Sequence, residues 1–398
     1  MRVKSNRIIF SIFFSLVFGA GTSAICQEVR YNPIYTAVPF LTITPDSRHG
    51  AMGDVGAATS PDANSQYMNP SKFAFAGDKW GFALSFTPWL RKLVSDVNLA
   101  YLSGFYQLDP TQVIGTSLRY FSMGSINLVG VDKTHLGTIN PGEFALDVSY
   151  SRRLSDYFSG GVSLRYIRSD LGGSTGGTQV GAESYSAGNA FATDVSGYYH
   201  HAVGGEDSKK MIAVGVNFSN IGSKISYNQG STKEFLPANL RLGTTYKTVL
   251  NDSSSIAISL DINKLMVPTP NYRVDDTGNV VQDNNLNQSV ISSVFGSFTD
   301  APGGMKEELQ EVTISLGAEY WYKKQFAVRG GYFNESQYKG NRKYFTAGVG
   351  VKLNIASIDI AYMIPVVHNN PLANTIRFTL LFNMDSFLKR KKFGPISM

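Results

Sequence analysis

The sequence predicts an antiparallel β-barrel of about 14 strands that spans a membrane, with an N-terminal plug in its lumen. Only 17% of the 398 residues are charged and 12% are aromatic, which suits a barrel with aromatic girdles and also a secreted β-sandwich. From Lys79 onward, apolar residues alternate with small or polar ones, as a strand with two different faces requires. Short and long connections alternate between these segments, which favours the barrel.

Residues 1–26 have the organisation of a secretory signal peptide. Basic residues precede an apolar run at 8–18, which is too short to span a bilayer as a helix. We expect cleavage after Cys26, so that the mature chain begins at Gln27 and contains no cysteine. Lipid attachment to Cys26 is the less favoured alternative, because Ile25 occupies a position where a small residue is expected. No later apolar run has the length of a spanning helix, so an exported chain of this kind is either soluble or a β-barrel.

The segment 27–78 precedes the strands, and its centre at 47–71 is rich in glycine and turn residues. Its apolar residues do not alternate as in a strand. Three glycines recur every three residues, which gives a short helix or coil with one bare face. We expect it either to fold inside the barrel as a plug or to pack as a loop on a surface. The residues expected to make its close contacts and turns are Gly50, Gly53, Gly56, Asn69 and Pro70.

Alternating segments between 79 and 386 predict the barrel itself. In one example, Ile256, Ile258, Leu260 and Ile262 alternate with small and polar residues. Many segments exceed the about 9–11 residues that a tilted strand needs to cross a membrane, whereas a globular strand has about five or six. They lie near 79–88, 94–107, 111–124, 142–153, 157–169, 188–200, 209–220, 237–249, 253–264, 309–322, 325–334, 342–352, 354–364 and 374–385.

The connections between these segments predict how the barrel is oriented. Short turns face the periplasm in outer-membrane barrels and long loops face outward. An even number of strands then places both termini in the periplasm, together with the basic tail 387–398. The tight turns are at 108–110, 154–156, 251–252 and 323–324, and the long links are at 125–141, 171–187, 221–236 and 265–308.

The two faces of the strands predict which side chains enter the lumen. The apolar face contacts lipid and the other face points inward. Five arginines fall on the inward face, where we expect them to hold the plug and to pair with carboxylates such as Glu319 and Asp359. A conduit lined by cations is the less favoured alternative. The five are Arg119, Arg165, Arg241, Arg329 and Arg377.

The sequence contains no convincing catalytic or metal-binding constellation, and we expect no enzymatic activity, metal or cofactor. His200 and His201 are adjacent and would face opposite sides of a strand. The glycine-rich stretch at 172–177 lacks the Lys-Ser/Thr of a phosphate loop. The net charge is +6, but an exported chain does not routinely meet nucleic acid. Acidic lipid headgroups are the more plausible counterpart for its basic residues.

The longest link, at 265–308, differs from a disordered spacer because it is not uniformly polar. Its first part, 275–288, is polar, whereas the second contains apolar residues, a sharp turn at 300–304 and a helix-like stretch at 305–311. Loops beyond about 15 residues are usually functional or disordered. The apolar residues are expected to cover the barrel mouth, to bind a partner, or both. The predicted partner contacts are Val290, Ile291, Val294, Phe295, Phe298, Pro302, Gly303 and Gly304.

Two groups of motifs resemble those of known outer-membrane proteins. RHGAMGDVGAA at 48–58 and DANSQYMNPS at 62–71 look like the N-terminal hatch of FadL-like barrels. KLMVPTP at 264–270 and SVFGSFTDAPGGMKEELQE at 293–311 resemble the PorV (LptO) family of the type IX secretion system. The resemblance covers nearly the whole chain. One departure is the tail after Phe382, since many such barrels end on an aromatic strand residue.

The resemblance implies an outer-membrane protein that binds exported cargo and passes it on. Its partners would be the translocon barrel, the C-terminal signal domains of cargo, a sortase-like surface attachment complex, and outer-membrane lipid with lipopolysaccharide. Two alternatives are transport of hydrophobic compounds, as in FadL-like barrels, and modification of lipopolysaccharide, which the LptO name implies. The missing catalytic constellation weighs against the last.

Overall fold

The computed structural model describes residues 31–172, 178–180, 183–204, 209–227, 233–274, 280–282, 287–367 and 370–383. The predicted signal peptide and basic tail lie outside the described residues. So do most of the glycine-rich stretch at 172–177 and most of the polar stretch at 275–288.

Fourteen antiparallel strands, each paired with its neighbour in sequence, close into a barrel, which confirms the predicted fold class. Closure joins the first strand to the last, where Phe82 lies opposite Phe382 and their rings stack with centroids 4.8 Å apart. The strands are β1 Trp80–Pro88, β2 Asn98–Asp109, β3 Gln112–Ser122, β4 Gly142–Arg153, β5 Phe158–Asp170, β6 Gly188–Ala202, β7 Lys210–Gly222, β8 Asn239–Asn251, β9 Ser254–Leu265, β10 Val312–Tyr322, β11 Phe326–Asn334, β12 Lys343–Lys352, β13 Ala356–Pro365 and β14 Ile376–Asn383.

Each predicted segment corresponds to one barrel strand, and the largest differences in bounds are at the starts of β2 and β10. Residues 94–97 precede β2 as part of a loop, and residues 309–310 belong to a helix that ends just before β10. Three of the long links also contain short hairpins, which the sequence did not predict. These are Ile126–Val129 with His135–Ile139, Thr178–Val180 with Glu183–Tyr185, and Tyr272–Val274 with Val280–Gln282.

The two faces of the strands differ as the alternation predicts. In β9, Ile258 and Ile262 are 50% and 42% exposed, whereas Asp261 between them is completely buried. The apolar side chains therefore form the outer surface of the barrel, where lipid would cover them. The polar side chains point inward and are buried by the segment that precedes β1.

Short helices occur in the N-terminal segment and in the longest loop. The first two are α1 (Ser47–Gly50) and α2 (Ser65–Met68), and the loop contains α3 (Val290–Gly296) and α4 (Met305–Gln310). The α1 helix begins at Asp46, whose side chain accepts a hydrogen bond from the backbone of His49, the usual arrangement at a helix start. Among the described residues, no helix combines the length and the apolar character needed to cross a membrane.

The N-terminal segment passes from one end of the barrel to the other. The amide of Asn32 donates to the carbonyl of Tyr338 in the loop between β11 and β12, at the long-loop end of the barrel. The Phe75 ring instead packs on His200 near a short turn, with centroids 4.3 Å apart. Both termini were predicted at the short-turn end. The structure places Asn383 there, but it places Asn32 at the long-loop end. An even number of strands determines at which end of the barrel β1 starts. It does not determine the path of the N-terminal segment that leads to β1.

Candidate functional sites in the lumen and the longest loop

The plug residues predicted from glycine spacing lie inside the barrel. A Cβ atom on Gly53 would be 2.6 Å from the carbonyl oxygen of Tyr332, and one on Gly50 would be 2.7 Å from Nη1 of Arg377. Gly53 also has a φ of +68°, which a side chain disfavours. Gly56 instead packs against Met68 within the segment itself. Two of the three glycines thus allow the plug to approach the barrel wall.

The barrel wall contributes matching glycines that sequence reasoning missed. Cβ atoms on Gly317 and Gly348 would come within 2.5 Å of Met52 and Ala51 in the plug. Gly215 and Gly331 make equally close approaches to plug backbone. The signal was present in the sequence, because these glycines occupy lumen-facing positions of their strands.

Buried charges join the plug to strand β10, and a series of ion pairs continues from there to β11 and β13. Arg48 of the plug lies 2.7 Å from Asp62 and 2.9 Å from Glu319. Glu319 also pairs with Arg329 at 2.7 Å, and Arg329 pairs with Asp359 at 2.5 Å. The predicted pairing of the lumen arginines with Glu319 and Asp359 is therefore confirmed for Arg329, and the plug adds an arginine of its own.

Hydrogen bonds complete the contact between plug and wall. Asp261 of β9 accepts from the amides of Gly56 and Ala57 at 2.8 and 2.9 Å. The side chain of Asn69 donates to the carbonyls of Ala57 and Gly197 at 2.9 and 3.0 Å. Asn69 therefore bridges the plug to β6 in addition to forming a turn. Pro70 follows it as the first residue of a 3-10 helix, Pro70–Phe75.

The longest loop is anchored at its base by two lysines. Lys264 at the end of β9 lies 2.9 Å from Glu308 and 2.6 Å from Glu311. Lys339, in the loop between β11 and β12, lies 3.0 Å from Glu311 and 2.6 Å from Glu307. The α4 helix and the residue after it are therefore held from both sides.

The N-terminal segment contributes a third anchor. The side-chain nitrogen of Asn32 donates to Glu307 and to the carbonyl of Pro270, both at 2.9 Å. Despite its burial, Glu307 has a pKa below its ordinary value, because hydrogen bonds from Lys339 and Asn32 favour the charged form. Burial raises the pKa of Asp300 to about 6. The pKa values of two carboxylates in one loop are thus shifted in opposite directions.

The structure divides the predicted partner contacts between two faces of α3. Val294 is only 8% exposed and packs with Phe235, Met266 and Val267, joined by Val290. Ile291 and Phe295 are 70% and 75% exposed. Val294 was predicted to contact a partner, but it lies in the core of the loop with Val290, four residues before it on the same side of the helix. Ile291 and Phe295 form the corresponding pair on the exposed side.

The remaining predicted contacts lie around the turn before α4. Phe298 is 40% exposed, and its ring lies 5.8 Å from Nζ of Lys264. Pro302 is exposed, the amide of Gly303 donates to Glu307 at 2.7 Å, and Gly304 has a φ of +62°. These two glycines therefore shape the turn.

Two exposed residues of α4 were missed by the sequence analysis. Met305 and Leu309 are 68% and 67% exposed and lie four residues apart, on one side of the helix. Their spacing was visible in the sequence. Together with Ile291 and Phe295 they are called here the apolar loop face. Within the described residues, no cluster of side chains suits a metal ion.

Known structures with a similar fold include a hydrocarbon channel, a toluene transporter and a FadL homologue. The TodX ΔS2S3 mutant, a monoaromatic hydrocarbon channel, is 12% identical over 85% of this chain and 98% of its own, with a TM-score of 0.50. The toluene transporter TodX of Pseudomonas putida is 13% identical over 89% and 98%, with a TM-score of 0.49. A FadL homologue of Pseudomonas aeruginosa is 12% identical over 88% and 99%, with a TM-score of 0.39. At such identities the likeness concerns the fold alone.

The closed barrel, its apolar outer surface and its filled lumen define the chain as a FadL-like outer-membrane β-barrel protein. Residues 26–272 match the family described as Type IX secretion system protein PorV, and the chain belongs to that family. None of the curated proteins matches the chain.

Proposed function

We propose that the protein binds the C-terminal signal domains of type IX cargo with its apolar loop face and passes the cargo from the translocon barrel to the surface attachment machinery. The observation that carries the proposal is the exposure of four large apolar side chains on an anchored loop. The four form two pairs, each on one side of a helix, and adjoining apolar groups left exposed mark interaction sites. The proposed function is binding without a catalytic step.

The position of the loop suits such a partner. In outer-membrane barrels the long loops face outward and the short turns face the periplasm. The apolar loop face would then meet proteins that have already crossed the membrane. Membership of a secretion family supports exported proteins as the partners.

The anchoring of the loop suits binding as well. Lys264 and Lys339 hold α4 through buried ion pairs, and Val294 holds α3 against the loop core. A surface that is already ordered loses little conformational entropy when a partner binds. Ile291 and Phe295 are therefore presented by a rigid support.

The test is the double variant Ile291→Asp with Phe295→Asp, measured by recovery of cargo and translocon that co-purify with the barrel from detergent-solubilised membranes. Residues central to an interface contribute about 2 kcal/mol or more each, so we expect binding to weaken at least about 30-fold. Folding is checked by heat modifiability on gels.

The matched control is Val131→Asp with Leu136→Asp, since both residues are exposed in another long loop. The control should leave partner recovery unchanged. Full recovery with the α3 variant, in a folded barrel, would contradict the proposed site. An equal loss of partner recovery with both double variants would show that added charge at this end of the barrel has a general effect.

A further inference from the structure

The turn between β10 and β11 contains two lysines in an unfavourable backbone conformation. The amide of Gln325 donates to the carbonyl of Tyr322 at 3.1 Å, which makes Lys323 and Lys324 the central residues of a tight turn. Their φ angles are +53° and +55°. A turn with positive φ at both central positions strongly prefers Asn-Gly, because the left-handed conformation costs energy in most residues that have a side chain. The two lysines therefore make this turn less stable than the usual residues would.

Other short turns of the barrel are stabilised by their own side chains. At Asp109, a carboxylate oxygen accepts from the backbone amides of Thr111 and Gln112 at 2.7 and 2.9 Å. At Asn251, the side-chain oxygen accepts from two backbone amides at 3.1 and 2.8 Å. A lysine side chain has no acceptor and cannot do the same. Strained residues of this kind are concentrated at sites that contact a ligand, so the role of the two lysines is expected outside the turn.

Three exposed lysines lie around this turn without a matching carboxylate. Lys323 and Lys324 are exposed at its tip. The amide of Lys352, at the end of β12, donates to the carbonyl of Gln325 at 2.7 Å, and Lys352 is exposed as well. Within the described part of the chain, none of the three forms an ion pair with a carboxylate. Positive charge gathered in this way attracts an anion.

Aromatic side chains of the outer surface lie directly beside the lysines. Tyr322 and Phe326 are opposite each other in β10 and β11 and are 49% and 50% exposed. Nζ of Lys323 lies 5.3 Å from the centre of the Tyr322 ring. Aromatic residues near the strand ends of such barrels mark the membrane interface. The Lys323 amine is therefore held on the lipid side of the turn, at the depth of the headgroups.

An anionic lipid headgroup fits both the charge and the position of this turn. Short turns face the periplasm in outer-membrane barrels, and lysines close to a membrane surface attract anionic lipids. We infer that the turn at 322–325, together with Lys352, binds the phosphate headgroup of an anionic phospholipid in the periplasmic leaflet. The proposed cargo site lies at the opposite end of the barrel, so the lipid site does not depend on it.

The experiment uses the full-length protein in dodecylmaltoside micelles, and native mass spectrometry measures the bound lipid. The probes are dioleoylphosphatidylglycerol, which is anionic, and dioleoylphosphatidylcholine, which has the same acyl chains and no net charge. We expect the anionic lipid to bind at least about ten-fold more tightly. Equal affinities for the two lipids would overturn the inference.

Variants locate the binding at the turn. Lys323→Gln with Lys324→Gln should lower the affinity for phosphatidylglycerol at least about ten-fold and leave that for phosphatidylcholine unchanged, whereas arginine at both positions should bind as the parent does. The matched control is Lys209→Gln with Lys210→Gln, since these lysines are also adjacent and exposed at the short-turn end and Lys209 already lies 3.5 Å from Asp252. The control should have no effect. An equal loss of affinity in the control would exclude a site at this turn.

A second readout separates the charge of the turn from its strain. The strands β10 and β11 carry the ion pair of Glu319 and Arg329, so phosphatidylglycerol bound at their turn should raise the midpoint of heat-modifiable unfolding by about 2 °C or more. Lys323→Asn with Lys324→Gly supplies the residues that the turn prefers. This variant should unfold at a higher temperature than the parent without added lipid, and phosphatidylglycerol should not raise its midpoint further. A response to phosphatidylglycerol equal to that of the parent would contradict the inference.

Free phosphate and acidic proteins carry related charges. Inorganic phosphate and polyglutamate are therefore added separately to the protein with bound phosphatidylglycerol, and we expect neither to displace the lipid. Displacement by phosphate would identify a site for free anions, and displacement by polyglutamate would identify a site for an acidic protein. Either result would overturn the assignment to a lipid.

Discussion

Single residues decide whether the plug can reach the barrel wall, and Gly53 is the most constrained of them. Its φ of +68° costs a residue with a side chain about 1–2 kcal/mol. The Cβ atom would also overlap the backbone of Tyr332. We therefore predict that Gly53→Leu reduces the heat-modifiable folded band on gels.

Gly77 provides the control for this substitution. A Cβ atom at Gly77 would meet nothing within 4 Å, so Gly77→Leu should fold as the parent does. Equal folding of both variants would show that the plug adjusts its path and that contact at Gly53 is not required.

Glu319 is the carboxylate on which the buried ion pairs converge, because it accepts from Arg48 of the plug and Arg329 of the wall. Removing one partner of a buried pair costs about 3–5 kcal/mol. Both arginines keep a second carboxylate, so we expect Glu319→Gln to cost about 3 kcal/mol. The measurement is the midpoint temperature of heat-modifiable unfolding.

The exposed pair of Lys209 and Asp252 is the comparison, since their side chains are 60% and 101% exposed. Asp252→Asn should leave the midpoint unchanged because exposed pairs contribute little. A midpoint for Glu319→Gln that matches the parent would mean that the plug is not held by this network.

At the scale of one element, the base of the longest loop should respond to pH in two opposite ways. The pKa of Asp300 is raised to about 6 by burial, so its contribution to the folded loop is complete below its ordinary pKa and is lost as pH rises through 6. The pKa of Glu307 is lowered by Lys339 and Asn32, so its contribution is present above its ordinary pKa and is lost on acidification. We predict that the loop is most protected at about pH 4–5.

Hydrogen exchange of residues 290–311 measures this protection. The Asp300→Asn variant has no carboxyl at this position to ionise. Residues 290–311 should therefore stay protected against exchange up to neutral pH. In the Glu307→Gln variant, by contrast, protection should no longer fall when the pH is lowered. Protection that does not vary between pH 4 and 7 in the parent protein would exclude a role for Asp300.

At the scale of the whole molecule, the path of the N-terminal segment makes a prediction about sidedness. Tyr35 is 68% exposed and belongs to the part of the segment that lies at the long-loop end. If long loops face outward, Tyr35→Cys should react in intact cells with a maleimide that cannot cross the membrane. The sequence has a single cysteine, Cys26, within the predicted signal peptide, so the background is low.

Asp156→Cys is the control at the other end, because Asp156 is exposed in a short turn between β4 and β5. It should react only after the cells are permeabilised. The reverse labelling pattern would mean that the long loops face the periplasm, and the proposed cargo site would then be on the wrong side.

The number of strands, their two faces and the alternation of turns and loops could be predicted from the amino-acid pattern. These features follow from a period of two residues and from turn chemistry, both of which act over short stretches of chain. The inward direction of Arg329 and Arg377 followed from the same alternation. Glycine spacing likewise indicated a segment with close contacts, although it left open which surface the segment meets.

The path of the plug and the anchoring of the longest loop are visible only in the folded structure. Each depends on residues far apart in the chain, such as Asn32 and Glu307, which are separated by 275 positions and joined by one hydrogen bond. The same holds for α3, where apolar residues predicted a contact but only the loop core could turn Val294 inward and leave Ile291 and Phe295 exposed. Local periodicity cannot specify these pairings, because they are settled when the barrel closes around the plug and brings distant residues within reach of one another.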